Sequence, residues 1–218
     1  MPKQNRVTPF GDLIAVPERG EMFGNRGILH DSGQRIVRYS QGRRWLVCRL
    51  EFHNRHRMIM RPGSYTELFF LDEATALAAG HRPCAECRRQ EYNEFRRCWL
   101  AAHGELTGHP PSADWMDAEL HRDRLLRPRV RNTYQDDIGA LADGVFIVYG
   151  NEAWLLWRSA LLRWTPGGYA ERRLRPTRGS VMILTPRATA RTVAAGYTPL
   201  VHPSAESLAA SKPSIGER

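Results

Sequence analysis

Between Tyr65 and Cys87 the chain is punctuated so closely that few local folds remain open to it. Leu68-Phe69-Phe70-Leu71 is a short, continuous apolar run, the pattern of a strand buried on both faces. Asp72 follows and can cap the free amides of a helix, and Ala74 to Ala79 are strong helix formers. Gly80 then supplies a left-handed C-cap, and Pro83 forbids continuation. Cys84-Ala85-Glu86-Cys87 comes at once. A second helix is expected to begin near Cys87, because Tyr92, Phe95, Trp99 and Leu100 recur at helical spacing with arginines opposite.

The paired thiols carry the clearest chemistry. A C-x-x-C spacing suits a tight turn that points both sulfurs at one ion, and zinc takes four nitrogen or sulfur ligands in a tetrahedron. His53 and His56, two residues apart like the cysteines, offer a second pair in a loop after the strand expected at Trp45 to Glu51. Cys48 is the rival third ligand, although a mid-strand cysteine more often faces the core. Two metal-free buried thiols and a redox pair are the remaining readings; the βαβ context usual for the latter is missing.

Leu68-Phe69-Phe70-Leu71 followed by Ala76-Leu77-Ala78-Ala79-Gly80-His81-Arg82-Pro83-Cys84-Ala85-Glu86-Cys87-Arg88 resembles the end of the metal-binding domain of the Ada family, the DNA methylphosphotriester-repair domain. The resemblance spans roughly residues 44–89. It implies a zinc-binding α/β unit, four ligands and contact with DNA. Extended backwards without gaps, it puts His53 where the family has its methyl-accepting cysteine and Arg57 where it has its second cysteine. An imidazole is not the activated thiolate that methyl transfer requires, so the resemblance implies the local fold and zinc without that activity.

Charge points the same way. Lys and Arg total 32 against 23 Asp and Glu, a net +9, and Lys3 and Lys212 are the only lysines. Arginine meets phosphate bidentately, although a GC-rich genome enriches it regardless of function. Arg55, Arg57, Arg61, Arg82, Arg88 and Arg89 flank the expected metal loop and are the candidate phosphate contacts. Asp114, Asp117, His121 and Arg124 fall on one face of a helix expected over Trp115 to Leu126, and Asp117 and His121 are candidate acid/base groups. Trp154, Trp157, Trp164 and Tyr169, interleaved with arginines, read as a core group or as a stacking platform for bases.

The whole reads as an α+β protein. A β-rich N-terminal region with strands at Asp12–Val16, Gln34–Tyr39 and Trp45–Glu51 leads into the Ada-like unit. A helical middle and a C-terminal β portion follow, the latter with strands at Val145–Tyr149, Trp154–Trp157 and Ser180–Leu184. A soft boundary at the Pro/Gly-rich loop from Gly104 divides residues 1–103 from 104–203, and residues 204–218 read as a frayed tail. With no apolar run near the roughly 20 residues of a membrane span, a soluble cytoplasmic protein is expected. The expected function is nucleic-acid binding by a protein with a structural zinc site, connected with DNA repair or recognition of modified DNA, without methyl-transfer activity. A DNA hydrolase using Asp117 and His121 is the first alternative, and a scaffold without a nucleic-acid role is the second.

Overall fold

The computed structural model describes residues 1–53, 58–104, 112–127 and 129–211. The fold is α+β and turns on one short helix. That helix, α1 (Glu73–Ala78), is buried at every position. It begins as the sequence predicts: Asp72 accepts from the Thr75 amide at 2.8 Å, and the amides of Glu73 and Ala74 donate to the Leu200 carbonyl. It ends at Gly80, whose φ of +91° is open to glycine at no steric cost.

A wholly buried helix needs partners on all sides, and alanine lets them approach closely. On one side lies a six-stranded sheet built from β1 (Gln4–Val7), β2 (Leu13–Ala15), β3 (Met22–Asn25), β4 (Leu46–Cys48), β5 (Leu68–Phe70) and β6 (Arg82–Pro83), in the order β2-β1-β5-β3-β4-β6. Ala76 and Ala79 pack there against Val7, Val47, Leu68 and Phe70. Ala74 and Ala78 join Phe146, Leu155 and Leu162 on the other side.

Those last residues belong to a second six-stranded sheet. Its strands are β9 (Tyr134–Asp137), β10 (Phe146–Tyr149), β11 (Glu152–Trp157), β12 (Ala160–Thr165), β13 (Gly168–Leu174) and β14 (Ser180–Ile183), in the order β13-β12-β11-β10-β14-β9. The short pair β7 (Leu125–Arg127) and β8 (Val130–Arg131) stands apart. Side chains alternate across the second sheet, so Ile147, Leu156 and Leu161 face a different core from their neighbours Phe146, Leu155 and Leu162. In that core lie Phe95 and Trp99 of α2 (Arg89–His103), Met116 and Leu120 of α3 (Ala113–Arg124) and Val193 of α4 (Arg187–Ala194). Both faces of the sheet's centre are covered, which is why β10, β11 and the first half of β12 read as nearly unbroken apolar runs.

Several expectations are corrected here. Gln34–Tyr39 forms no strand; only an isolated bridge joins His30 to Ile36. Gly24 and Asn25, a pair whose chemistry favours a turn, lie in β3, where a Cβ on Gly24 would stand 2.2 Å from the Leu46 carbonyl oxygen. The expected tail from residue 204 begins instead as helix α5 (Pro203–Ala210), with Ala205 fully buried, and residues 212–218 lie outside the described residues. Trp154, Trp157 and Tyr169 are core residues. Among the described residues no helix is long and apolar enough to cross a membrane.

Candidate metal centre

Strand β6 is only two residues long, yet it decides the site. It pairs in parallel with β4, Leu46 opposite Arg82 and Val47 opposite Pro83. The Cys84 amide continues the ladder by donating to the Val47 carbonyl at 2.9 Å. The next residue of β4 is Cys48, so the register delivers Cys48 and Cys84 side by side at the same end of the sheet. The chain then turns, with the Arg88 amide donating to the Cys84 carbonyl at 3.2 Å, and this brings Cys87 back to its partners.

All three sulfurs lie within 4.8 Å of one another. A tetrahedral ion with metal–sulfur bonds of about 2.3 Å holds its thiolates about 3.8 Å apart, so the cluster has the size of a metal site. The four cysteines of the chain are free thiols. Cys48, Cys84 and Cys87 are each no more than 9% exposed, and Phe23, Leu46 and Phe52 pack around them. The Cys84 thiol is held far below its ordinary range, first by hydrogen bonding with Cys48 and then with Cys87, while Cys48 is pushed up by the same contacts. The arrangement stabilises at least one thiolate, the form that binds a soft cation. The cluster opens on a cavity of about 350 Å³ whose walls include Phe23, Phe52, Tyr65 and Phe69, with Arg49 and Glu67 among its polar groups.

Cys84 and Cys87 thus come together as expected, and Cys48, named only as an alternative, completes the group. His53 does not join it. Its backbone is left-handed, with φ of +53°, its side chain is exposed, and its ring stands 4.0 Å from that of Phe52. His56, Arg55 and Arg57 lie outside the described residues. Cys98 is buried elsewhere, in the core of α2.

The candidate phosphate contacts divide. Arg82 and Arg88 are buried, and each grips a carboxylate with two nitrogens: Arg82 holds Asp117 at 2.8 and 2.6 Å, and Arg88 holds Glu73 at 2.8 and 2.9 Å. Their charge is spent inside the protein. Arg61 and Arg89 are exposed.

The candidate acid/base row on α3 is likewise drawn into structure. Both Asp117 oxygens are occupied by Arg82. His121 stands edge-on to Trp45, with its Nδ1 sealed from solvent and unpartnered, and burial, then Arg124 and Arg43, lower its pKa. Asp114 pairs on the surface with Arg44 at 2.8 Å, and Arg124 turns inward to backbone carbonyls. Asp117, the carboxylate one turn from His121 in that row, is sealed in its pair with Arg82.

The grouping of Cys48 with the C-x-x-C depends on a parallel pairing between strands far apart in sequence, and nothing in the local pattern announces a two-residue strand at Arg82-Pro83. Compared with protein-family models, curated proteins and solved structures, the chain matches none of them.

Proposed function

We propose that this chain is a metal-binding protein that holds one zinc ion on Cys48, Cys84 and Cys87. The convergence of three buried sulfurs within 4.8 Å carries the reading. Three soft donors of that size select zinc over hard cations, and their separation in sequence lets the ion tie β4 to the start of α2. When bound, zinc supplies a fixed positive charge that keeps all three thiols ionised. Phe23, Leu46 and Phe52 pack around the sulfurs and also form part of the cavity wall, so the group opens on a largely apolar pocket. The resemblance of residues 44–89 to the Ada metal-binding domain supports the same reading.

Elemental analysis of the purified protein tests it. About one zinc per chain is expected, lost with Cys48→Ser and with Cys84→Ser and retained with His53→Ala. Retention of metal by Cys48→Ser refutes the three-thiolate centre. Loss with His56→Ala identifies the fourth ligand and makes the site closed and structural.

Nucleic acid is the partner we propose for the metal-bearing face, in connection with DNA repair or modified DNA. The support is the net +9 charge, the exposed Arg61 and Arg89, and Arg49 in the wall of the cavity. Binding driven by phosphate contacts must weaken steeply with salt. Affinity for an oligonucleotide that does not change between low and moderate salt rules this partner out.

A further inference from the structure

Away from the thiols, the structure buries cationic charge without neutralising it. Arg26 is fully buried, Arg124 is 1% exposed, and Arg131 has its Nε sealed from solvent. Arg26 donates to the Gly11 carbonyl, Arg124 to those of Leu120, Gly80 and Arg43, and Arg131 to those of Ala78, Ala79 and Leu184. Among the described residues none of the three forms an ion pair with a carboxylate. Arg82 and Arg88, equally buried, each have one. His81 offers no compensation: it lies fully buried with both ring nitrogens unpartnered, and burial, then Arg26, Arg124 and Arg131, drive its pKa well down.

Carbonyl dipoles only partly offset a guanidinium that cannot deprotonate. Arg26 is the least satisfied of the three: it donates to one backbone carbonyl, that of Gly11, and its other polar neighbour is the Tyr39 hydroxyl. Its guanidinium stacks 4.1 Å from the centre of the Tyr39 ring and 4.9 Å from that of Trp45, while Arg124 lies 4.5 Å from the same indole. The Tyr39 hydroxyl is sealed from solvent beside Arg26 and Arg131. Arg26 and Tyr39 line a cavity of about 290 Å³, which Arg38 and Arg129 border from the exposed side and to which Asp12 contributes the one acid.

We propose that this cavity is a binding site for a phosphate group, with Arg26 as the buried anchor, Tyr39 as a hydroxyl donor and Arg38 and Arg129 at the rim. Three guanidinium groups against a single carboxylate give it the sign for an oxyanion, and the forked donors of arginine match the tetrahedral oxygens of phosphate. Its volume accommodates a phosphate with a modest substituent. The site is distinct from the three cysteines, and its occupancy does not require the metal.

Calorimetric titration of the full chain with inorganic phosphate, at constant ionic strength and in the presence of a chelator, tests the proposal. Saturable binding at millimolar phosphate or below is expected. The exposed-residue double variant Arg38→Gln/Arg129→Gln should weaken it about tenfold or more, and Asp12→Asn should tighten it several-fold. Rim residues are used because Arg26→Met removes a buried stacked group and can fail to fold. Competition by an oligonucleotide identifies a nucleic-acid backbone as the source of the phosphate, whereas phosphate binding without competition identifies a small phosphorylated molecule. Absence of saturable binding, or unchanged affinity in the Arg38/Arg129 variant, overturns the proposal. Loss of metal binding in Cys48→Ser with phosphate binding intact separates this site from the metal centre.

Discussion

Replacing Glu73 by Gln should remove a large part of the protein's stability. Glu73 and Arg88 are each 1% exposed at the side chain, and the carboxylate meets the guanidinium through two bonds of 2.8 and 2.9 Å. Glu73 also accepts from the Tyr197 hydroxyl at 2.5 Å and the Leu200 amide at 3.0 Å. The amide of Gln carries no charge and turns two donors towards groups that are themselves donors. Removing one partner of a buried pair costs about 3–5 kcal/mol, because the other charge stays behind in low dielectric. A domain holds only about 5–15 kcal/mol in total. Urea denaturation with the metal chelated should therefore show a midpoint lowered by about a fifth or more at unchanged slope. Arg88→Met should cost less than Glu73→Gln, since the carboxylate it leaves retains Tyr197 and Leu200. The double variant should cost less than the sum of the two, with a coupling of about 0.5–3 kcal/mol. A Glu73→Gln midpoint within error of wild type, or an Arg88→Met variant less stable than Glu73→Gln, would refute the reasoning.

Two further predictions concern the same interior. The unfolded chain takes up a proton on His81 near pH 6.5, whereas the folded chain, with the imidazole buried beside Arg26, Arg124 and Arg131, does not. The unfolded state therefore binds more protons as pH falls below that value, and stability declines there by up to about 1.4 kcal/mol per pH unit. His81→Phe, which keeps an aromatic ring beside Trp45 and Phe70, should flatten the decline between pH 6.5 and 5 in thermal melts, leaving what His103 and His121 contribute in the same direction. An unchanged slope would remove His81 as its cause. Asp72→Ala abolishes the cap of α1 and leaves the Tyr169 hydroxyl and the His202 amide without their acceptor. The loss is about 2–4 kcal/mol, and Asp72→Asn, which keeps the capping oxygen, should recover about 1 kcal/mol of it by calorimetry.

How much of this was legible depends on whether a feature is local. The unit from Leu68 through Gly80 was readable because each punctuating residue acts on its neighbours: Asp72 on the Thr75 amide, and Gly80 on the turn it makes. Ser112 caps α3 through the Trp115 amide by the same kind of local contact. Strand β3 was missed because Gly24-Asn25 carries turn chemistry, while the glycine serves instead to admit the Leu46 carbonyl. Arg82 and Arg88 looked like surface charge because their carboxylates, Asp117 and Glu73, come from other elements. The metal group was two-thirds visible: the C-x-x-C announces itself, whereas Cys48 enters through β4–β6 pairing. The row on α3 had the right spacing, but periodicity says nothing about which face a neighbouring arginine will claim.

The parallel pairing of β4 with β6 has a consequence during synthesis. Cys48 leaves the ribosome 36 residues ahead of Cys84 and 39 ahead of Cys87. At ordinary elongation rates it waits about 2–8 s with no partner thiol in existence. Any cation it meets in that interval finds a single ligand, and any oxidant finds an unprotected sulfur. The centre is thus assembled late, by closure of a long loop, and its yield depends on how well the surroundings keep one early cysteine reduced until the strand that completes it arrives.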